Sequence, residues 1–110
     1  MMPLTLLLRT TADGLLVEVG GALDFETAQD FHDLLPTLAL LPGQQLSLDL
    51  GAVEFFDSSG VRALLAARSR AIGEQADLAL LAVPGHVARV LDALGLQGSF
   101  STDRLPPPAG

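Results

Sequence analysis

The stretch Val53-Glu54-Phe55-Phe56-Asp57-Ser58-Ser59-Gly60-Val61 holds the residues with the most chemistry to offer. Asp57 brings a carboxylate, Ser58 and Ser59 bring hydroxyls, and Gly60 leaves space beside them. Upstream, Leu46-Ser47-Leu48-Asp49-Leu50 alternates apolar and polar residues, the period of a strand with one buried face. Downstream, Val61, Leu64, Leu65 and Ile72 fall close to helical spacing, with Arg62, Arg68 and Arg70 between them. A strand is therefore expected to hand over to a helix within this stretch. The first turn of a helix carries N–H groups without intrahelical partners, and its dipole adds roughly half a positive charge, so the place suits an anion. On pattern alone Asp57 also reads as a plain helix cap, with Ser59 as a second candidate for that role.

Other chemistries find less support. A serine nucleophile would need a glycine-x-serine-x-glycine elbow and a histidine beside it; the stretch has no such elbow, and no histidine is placed near it by sequence. His32 and His86 stand apart from each other, and cysteine is absent, so neither a metal site nor a cofactor is expected. Lysine is absent too, which removes any P-loop.

Composition narrows the class further. A formal charge of −7, with six basic residues that are all arginine, sets the overall field against nucleic acid. The lack of cysteine fits a reducing cytoplasm, and no apolar run is long enough to cross a bilayer. At 110 residues and 49% hydrophobic content, the chain can build one self-sufficient core.

The elements that must position the stretch follow in chain order. Leu4, Leu6 and Leu8 alternate along a first strand, Thr11-Ala12-Asp13-Gly14 makes a turn, and Leu15, Val17 and Val19 alternate along a second strand closed by Gly20-Gly21. Asp24 is placed to cap a helix whose apolar stripe is Ala28, Phe31, Leu34 or Leu35, and Leu38. Pro36 should stop or kink that helix. Beyond the central helix, Gly73 to Ala76 form a loop, and Asp77 to Val83 read as a strand buried on both faces. Pro84 opens a last helix with Val87, Val90, Leu91 and Leu94 as its buried side and Gly95 as its stop. Leu96 to Thr102 can add an edge strand, and Arg104 to Gly110, with three prolines, reads as an extended tail. The expected architecture is α/β: a mixed four- to five-stranded sheet packed with about three main helices, the domain spanning 1–103 and the tail 104–110.

Three segments carry a family resemblance. Gly21-Ala22-Leu23-Asp24, then Leu48-Asp49-Leu50 ahead of Phe55-Phe56-Asp57-Ser58-Ser59-Gly60-Val61, and Val83-Pro84-Gly85-His86 through Leu94-Gly95-Leu96 are similar to the STAS domain family, specifically the bacterial anti-sigma factor antagonists. The resemblance implies that Ser58, with Ser59 as the fallback site, is phosphorylated by a partner kinase that is also the anti-sigma factor. It also implies a cycle in which the unphosphorylated protein binds the kinase and frees a sigma factor, phosphorylation ends binding, and a PP2C-type phosphatase resets the system. Asp24, Asp57, Ser59, Gly60 and Arg62 are the accompanying partner-binding candidates, with Gly60 open to either partner approach or tight internal packing. The kinase would supply ATP and magnesium, and the chain itself is expected to be no enzyme. A second reading within the family is an accessory or scaffold subunit of a lipid-transporting ATPase or stress-signalling complex, in which the same loop docks without a phosphoswitch.

Two features depart from the family pattern. Ala22 stands where members commonly carry an acidic residue, and the proline-rich tail stands where many carry a further helix. The second departure leaves a homodimer open, through the surface that such a helix would cover.

Overall fold

The protein is described from a computed structural model covering residues 2–96, 98 and 100–103. β1 (Leu4–Thr11) and β2 (Gly14–Leu23) form the expected hairpin, antiparallel from Leu4 opposite Gly21 to Thr11 opposite Gly14. The sequence reading of Gly20-Gly21 as the close of β2 does not hold. Two register shifts against the next strand fall there, Gly21 takes a φ of +81°, and the chain runs on to Leu23. A bulge absorbs the irregularity that glycine signalled, so the strand bends rather than ends.

α1 (Ala28–Leu34) follows, then a 3-10 turn over Leu35–Thr37 that holds Pro36, so the helix stops where proline demands. β3 (Gln45–Phe56) is longer than the alternating pentapeptide indicated, running through Gly51 and up to Asp57. α2 (Ser58–Gly73), β4 (Asp77–Leu81), α3 (Gly85–Ala93) and a short β5 (Ser101–Asp103) complete the chain. β4 ends two residues earlier than expected, because Ala82 turns the backbone at φ +51°. The tail 104–110 lies outside the described residues.

The strands stand in the order β1-β2-β3-β4-β5, with β1 antiparallel to β2 and every later pair parallel. Right-handed crossovers between successive neighbours place all three helices on one face of the sheet. The packing agrees: Phe31, Leu64, Val87 and Leu91 share one cluster with Val17, Leu46, Leu48, Leu50 and Leu80 of the sheet. On α2 the buried stripe is Gly60, Val61, Ala63, Leu64, Ala67 and Ala71, and its glycine and alanines let the helix lie close to the strands. Ile72, which helical spacing assigns to that stripe, points outward, 56% exposed. Leu94 is likewise turned out, since α3 ends at Ala93 and Gly95, at φ +70°, reverses the chain. Among the described residues no helix is long and apolar enough to cross a membrane.

Candidate functional site

Parallel neighbours end side by side, and this brings the site together. β2 and β3 stay in register up to Ala22 beside Phe55 and Leu23 beside Phe56, so the chain leaves both strands at the same point of the sheet. One residue, Asp57, makes the whole turn from β3 into α2. Its backbone is extended (φ −129°, ψ −167°), and its Oδ1 accepts hydrogen bonds from the Ser59 N–H at 2.8 Å and the Gly60 N–H at 3.4 Å. Asp57 is thus the N-cap of α2, the role the pattern allowed it. Ser59 enters the cap through its backbone N–H. Asp57 Oδ2 reaches across to the neighbouring loop and accepts from the Phe25 N–H at 3.4 Å.

Ser58 is the first residue of α2, and its side chain is exposed. Ser59 is half-buried and Gly60 is buried. A Cβ added at Gly60 would lie 2.6 Å from two ring carbons of Phe56 and 2.9 Å from the Leu23 carbonyl oxygen. Glycine here lets the first turn of α2 rest on the ends of β2 and β3, which gives the tight-packing reading of Gly60 a steric cause. Arg62 is exposed one turn further along α2. Two of the first-turn N–H groups that would welcome an anion are therefore already held by Asp57.

Asp24 behaves differently from the expected start of a helix. Its Oδ1 accepts from the Glu26 and Thr27 N–H groups at 3.0 and 3.1 Å, while its own N–H donates to Thr27 Oγ1 at 3.0 Å. Thr27 Oγ1 donates to the Ala22 carbonyl at 2.7 Å. The carboxylate thus closes a turn of four residues, and α1 begins only at Ala28 with Thr27 at the cap position. Ala22 is buried and offers this loop its carbonyl alone. Asp24 and Asp57 accordingly stabilise the two loops that meet beside Ser58.

The arginines do not form one free face. Arg62 and Arg68 are exposed, but Arg70 donates from Nε to the Leu35 carbonyl at 3.1 Å and from Nη2 to the Leu38 carbonyl at 3.0 Å, and pairs with Glu74 at 2.8 Å. It ties α2 to the 3-10 turn. Two shallow clefts lie elsewhere, one beside Arg68, Ile72 and Phe100, the other beside Glu18, Asp49 and Ala82, and Ser58 lines neither. The serine is exposed at the first position of α2.

Sequence reasoning gave no role to Phe25, which follows Asp24 and whose N–H meets the Asp57 carboxylate. Phe25 is 84% exposed, and Phe55 is 52% exposed. Only the register of β2 on β3 brings the loop of Phe25 to Asp57.

Comparison with known proteins agrees with this geometry. A family model described as "Mlab, STAS domain" matches residues 6–106. A STAS-domain containing protein of Pseudomonas aeruginosa is 34% identical over 83 residues, covering 74% of this chain and 81% of that protein. Among solved structures, an anti-sigma factor antagonist from Mycobacterium paratuberculosis superposes with a TM-score of 0.71 at 24% identity, covering 96% of this chain and 87% of the other. The anti-sigma factor antagonist SpoIIAA in its unphosphorylated form gives a TM-score of 0.70 at 18% identity, covering 90% and 88%. At these identities the structural matches speak for the fold.

Proposed function

The chain belongs to the STAS domain family, and from that premise we propose that it is an anti-sigma factor antagonist switched by phosphorylation of Ser58. The unphosphorylated protein binds an anti-sigma factor that is also a serine kinase and so frees a sigma factor; the phosphoprotein lets go, and a PP2C-type phosphatase restores it. The observation that carries this reading is the exposed Ser58 hydroxyl at the first position of α2, held by the Asp57 cap where two loops meet. Asp24, Asp57, Ser59, Gly60 and Arg62 shape or border the surface that meets the partner. The domain spans 1–103, with 104–110 as a tail, and the protein works in the cytoplasm.

The physics of the switch is electrostatic. Phosphate adds about −1.5 to −2 charges at a helix start, where the dipole favours them, and its bulk projects into solvent. The fold therefore accommodates it, although Asp57 already occupies two donors there. A partner carboxylate does not. At ~6 Å and an effective dielectric of ~20, each like charge costs about 3 kcal/mol. That is roughly a hundredfold in affinity. ATP and magnesium come with the kinase.

Binding of the purified chain to the serine kinase encoded nearest to it tests the reading. Ser58→Ala should bind as the unmodified protein does and melt at the same temperature, because the hydroxyl is exposed. Ser58→Asp should weaken the complex only partly, carrying one charge and fewer acceptors than phosphate. Equal affinity for Ser58→Ala and the Ser58 phosphoprotein would sink the switch. A transporter-type ATPase encoded beside this chain, and binding it whether or not Ser58 is phosphorylated, would favour the accessory-subunit reading.

A further inference from the structure

The sheet has two edges, and they are built differently. Among the described residues one edge is β5, three residues of sequence Ser-Thr-Asp, and the other is β1, eight residues of sequence Leu-Thr-Leu-Leu-Leu-Arg-Thr-Thr. An edge strand shows a row of unpaired N–H and C=O groups that can template another strand, and proteins blunt it with shortness, charge or proline. β5 is blunted by its length and its aspartate. β1 is not. Its one charge, Arg9, is paired with Glu18 of β2 at 2.6 Å. Its leucines reach water on both sides of the strand: Leu7 is 49% exposed, and Leu8, which points to the opposite face, is 45% exposed.

The ladder fixes which backbone groups are free. The Ala22 N–H donates to the Pro3 carbonyl at 3.1 Å, so residue 3 turns its polar groups toward β2. The β1–β2 register runs on from there without a shift, and antiparallel ladders alternate. Thr5, Leu7, Arg9 and Thr11 therefore bond to β2, while Leu4, Leu6, Leu8 and Thr10 aim their N–H and C=O groups outward. Pro3 leaves that open row intact, because the N–H it lacks would have faced β2. We propose that this row is the docking edge for a second copy of the chain, two β1 strands pairing antiparallel across a two-fold axis at Leu7. Only that centre opposes every outward residue with another, Leu4 with Thr10 and Leu6 with Leu8, in both directions. It also sets Leu7 against its own copy in a non-hydrogen-bonded pair, where cross-strand side chains come closest. Arg9 then meets Thr5 rather than another arginine. A strand without a carboxylate, in a chain of net charge −7, lets two copies meet with no like charges opposed. The two five-stranded sheets become one continuous sheet. Because the pairing is symmetric and uses up β1, and β5 is short, assembly stops at the dimer. The contact involves none of the residues around Ser58, so it is independent of the switch proposed above.

Sedimentation equilibrium of the full chain from micromolar to millimolar concentration tests the pairing, since self-association makes the mass depend on concentration. Interference optics are needed, as the chain has no Trp or Tyr. The wild-type chain should pass from monomer to dimer mass over that range. Leu8→Pro removes one outward N–H where an edge strand tolerates proline, and Leu7→Lys and Leu7→Glu each set like charges against each other at the axis. Each variant should keep the wild-type far-ultraviolet circular dichroism and stay monomeric, and an equimolar mixture of the Leu7→Lys and Leu7→Glu chains should recover the dimer as a mixed pair. A wild-type chain that stays monomeric throughout overturns the proposal. So does a dimer that persists in all three variants, which would place the interface elsewhere, and so does a dimer lost in both charge variants but not recovered on mixing, which would move the axis away from Leu7.

Discussion

Asp57 does two jobs with one carboxylate, and each oxygen has its own. Oδ1 caps α2 through Ser59 and Gly60, and Oδ2 ties in Phe25 of the neighbouring loop. The capping half was legible in the sequence, because an aspartate before two serines and a glycine at a strand end has few other uses. The bridging half was not. Phe25 is 32 positions away, and only the parallel register of β2 and β3 brings it within reach. Asp57→Ala should cost about 1 kcal/mol from the lost cap, read as a lower melting temperature. Asp57→Asn, which can still cap, should recover most of that stability. If Asn destabilised as much as Ala, the charge rather than the cap would be the stabilising feature.

At the level of elements, helix and strand identities were read from periodicity and breakers, while their ends were set by tertiary contacts. Pro36 stopped α1 as its missing N–H requires, and the Thr11 to Gly14 turn made the hairpin. Asp24 misled because an acceptor that closes a tight turn has the same sequence signature as one that opens a helix. Ile72 misled because it fits a helical period with Val61 and Leu64, whereas the buried stripe runs on from them through Ala67 and Ala71. The close seat of α2 gives a sharp test. Gly60→Ala must push against Phe56 at 2.6 Å and the Leu23 carbonyl at 2.9 Å, and should destabilise by ~1–3 kcal/mol in denaturant titration. A neutral or stabilising effect would mean that α2 can lift from the sheet at no cost. Arg70 is the second tie. Its two bonds to the Leu35 and Leu38 carbonyls need a planar fork. Arg70→Ala should lose about 2 kcal/mol, and Arg70→Lys should restore only part of it, since an ammonium cannot reproduce both contacts.

Across the whole molecule, the order of the strands explains why the site lies where it does. Three parallel strands, β2, β3 and β4, point the same way, so the loops that follow them gather at one end, and the helices that return the chain occupy one face. In open sheets of this kind the carboxyl end of the strands is where function collects. Ser58, the α2 cap Asp57 and the turn-closing Asp24 stand at that end. The sequence made the class of fold plain through its alternation of strand and helix. The bond that joins the two loops, from the Phe25 N–H to Asp57, needed the pairing to be seen, because it is long-range in sequence. Intact-protein mass spectrometry decides whether Ser58 at this end carries a phosphorylation switch: the purified chain and its Ser58→Ala variant are incubated with ATP and the nearest-encoded serine kinase. One added phosphate on the wild-type chain and none on Ser58→Ala is the predicted result; an unmodified wild-type chain in a demonstrated complex with that kinase would contradict the switch.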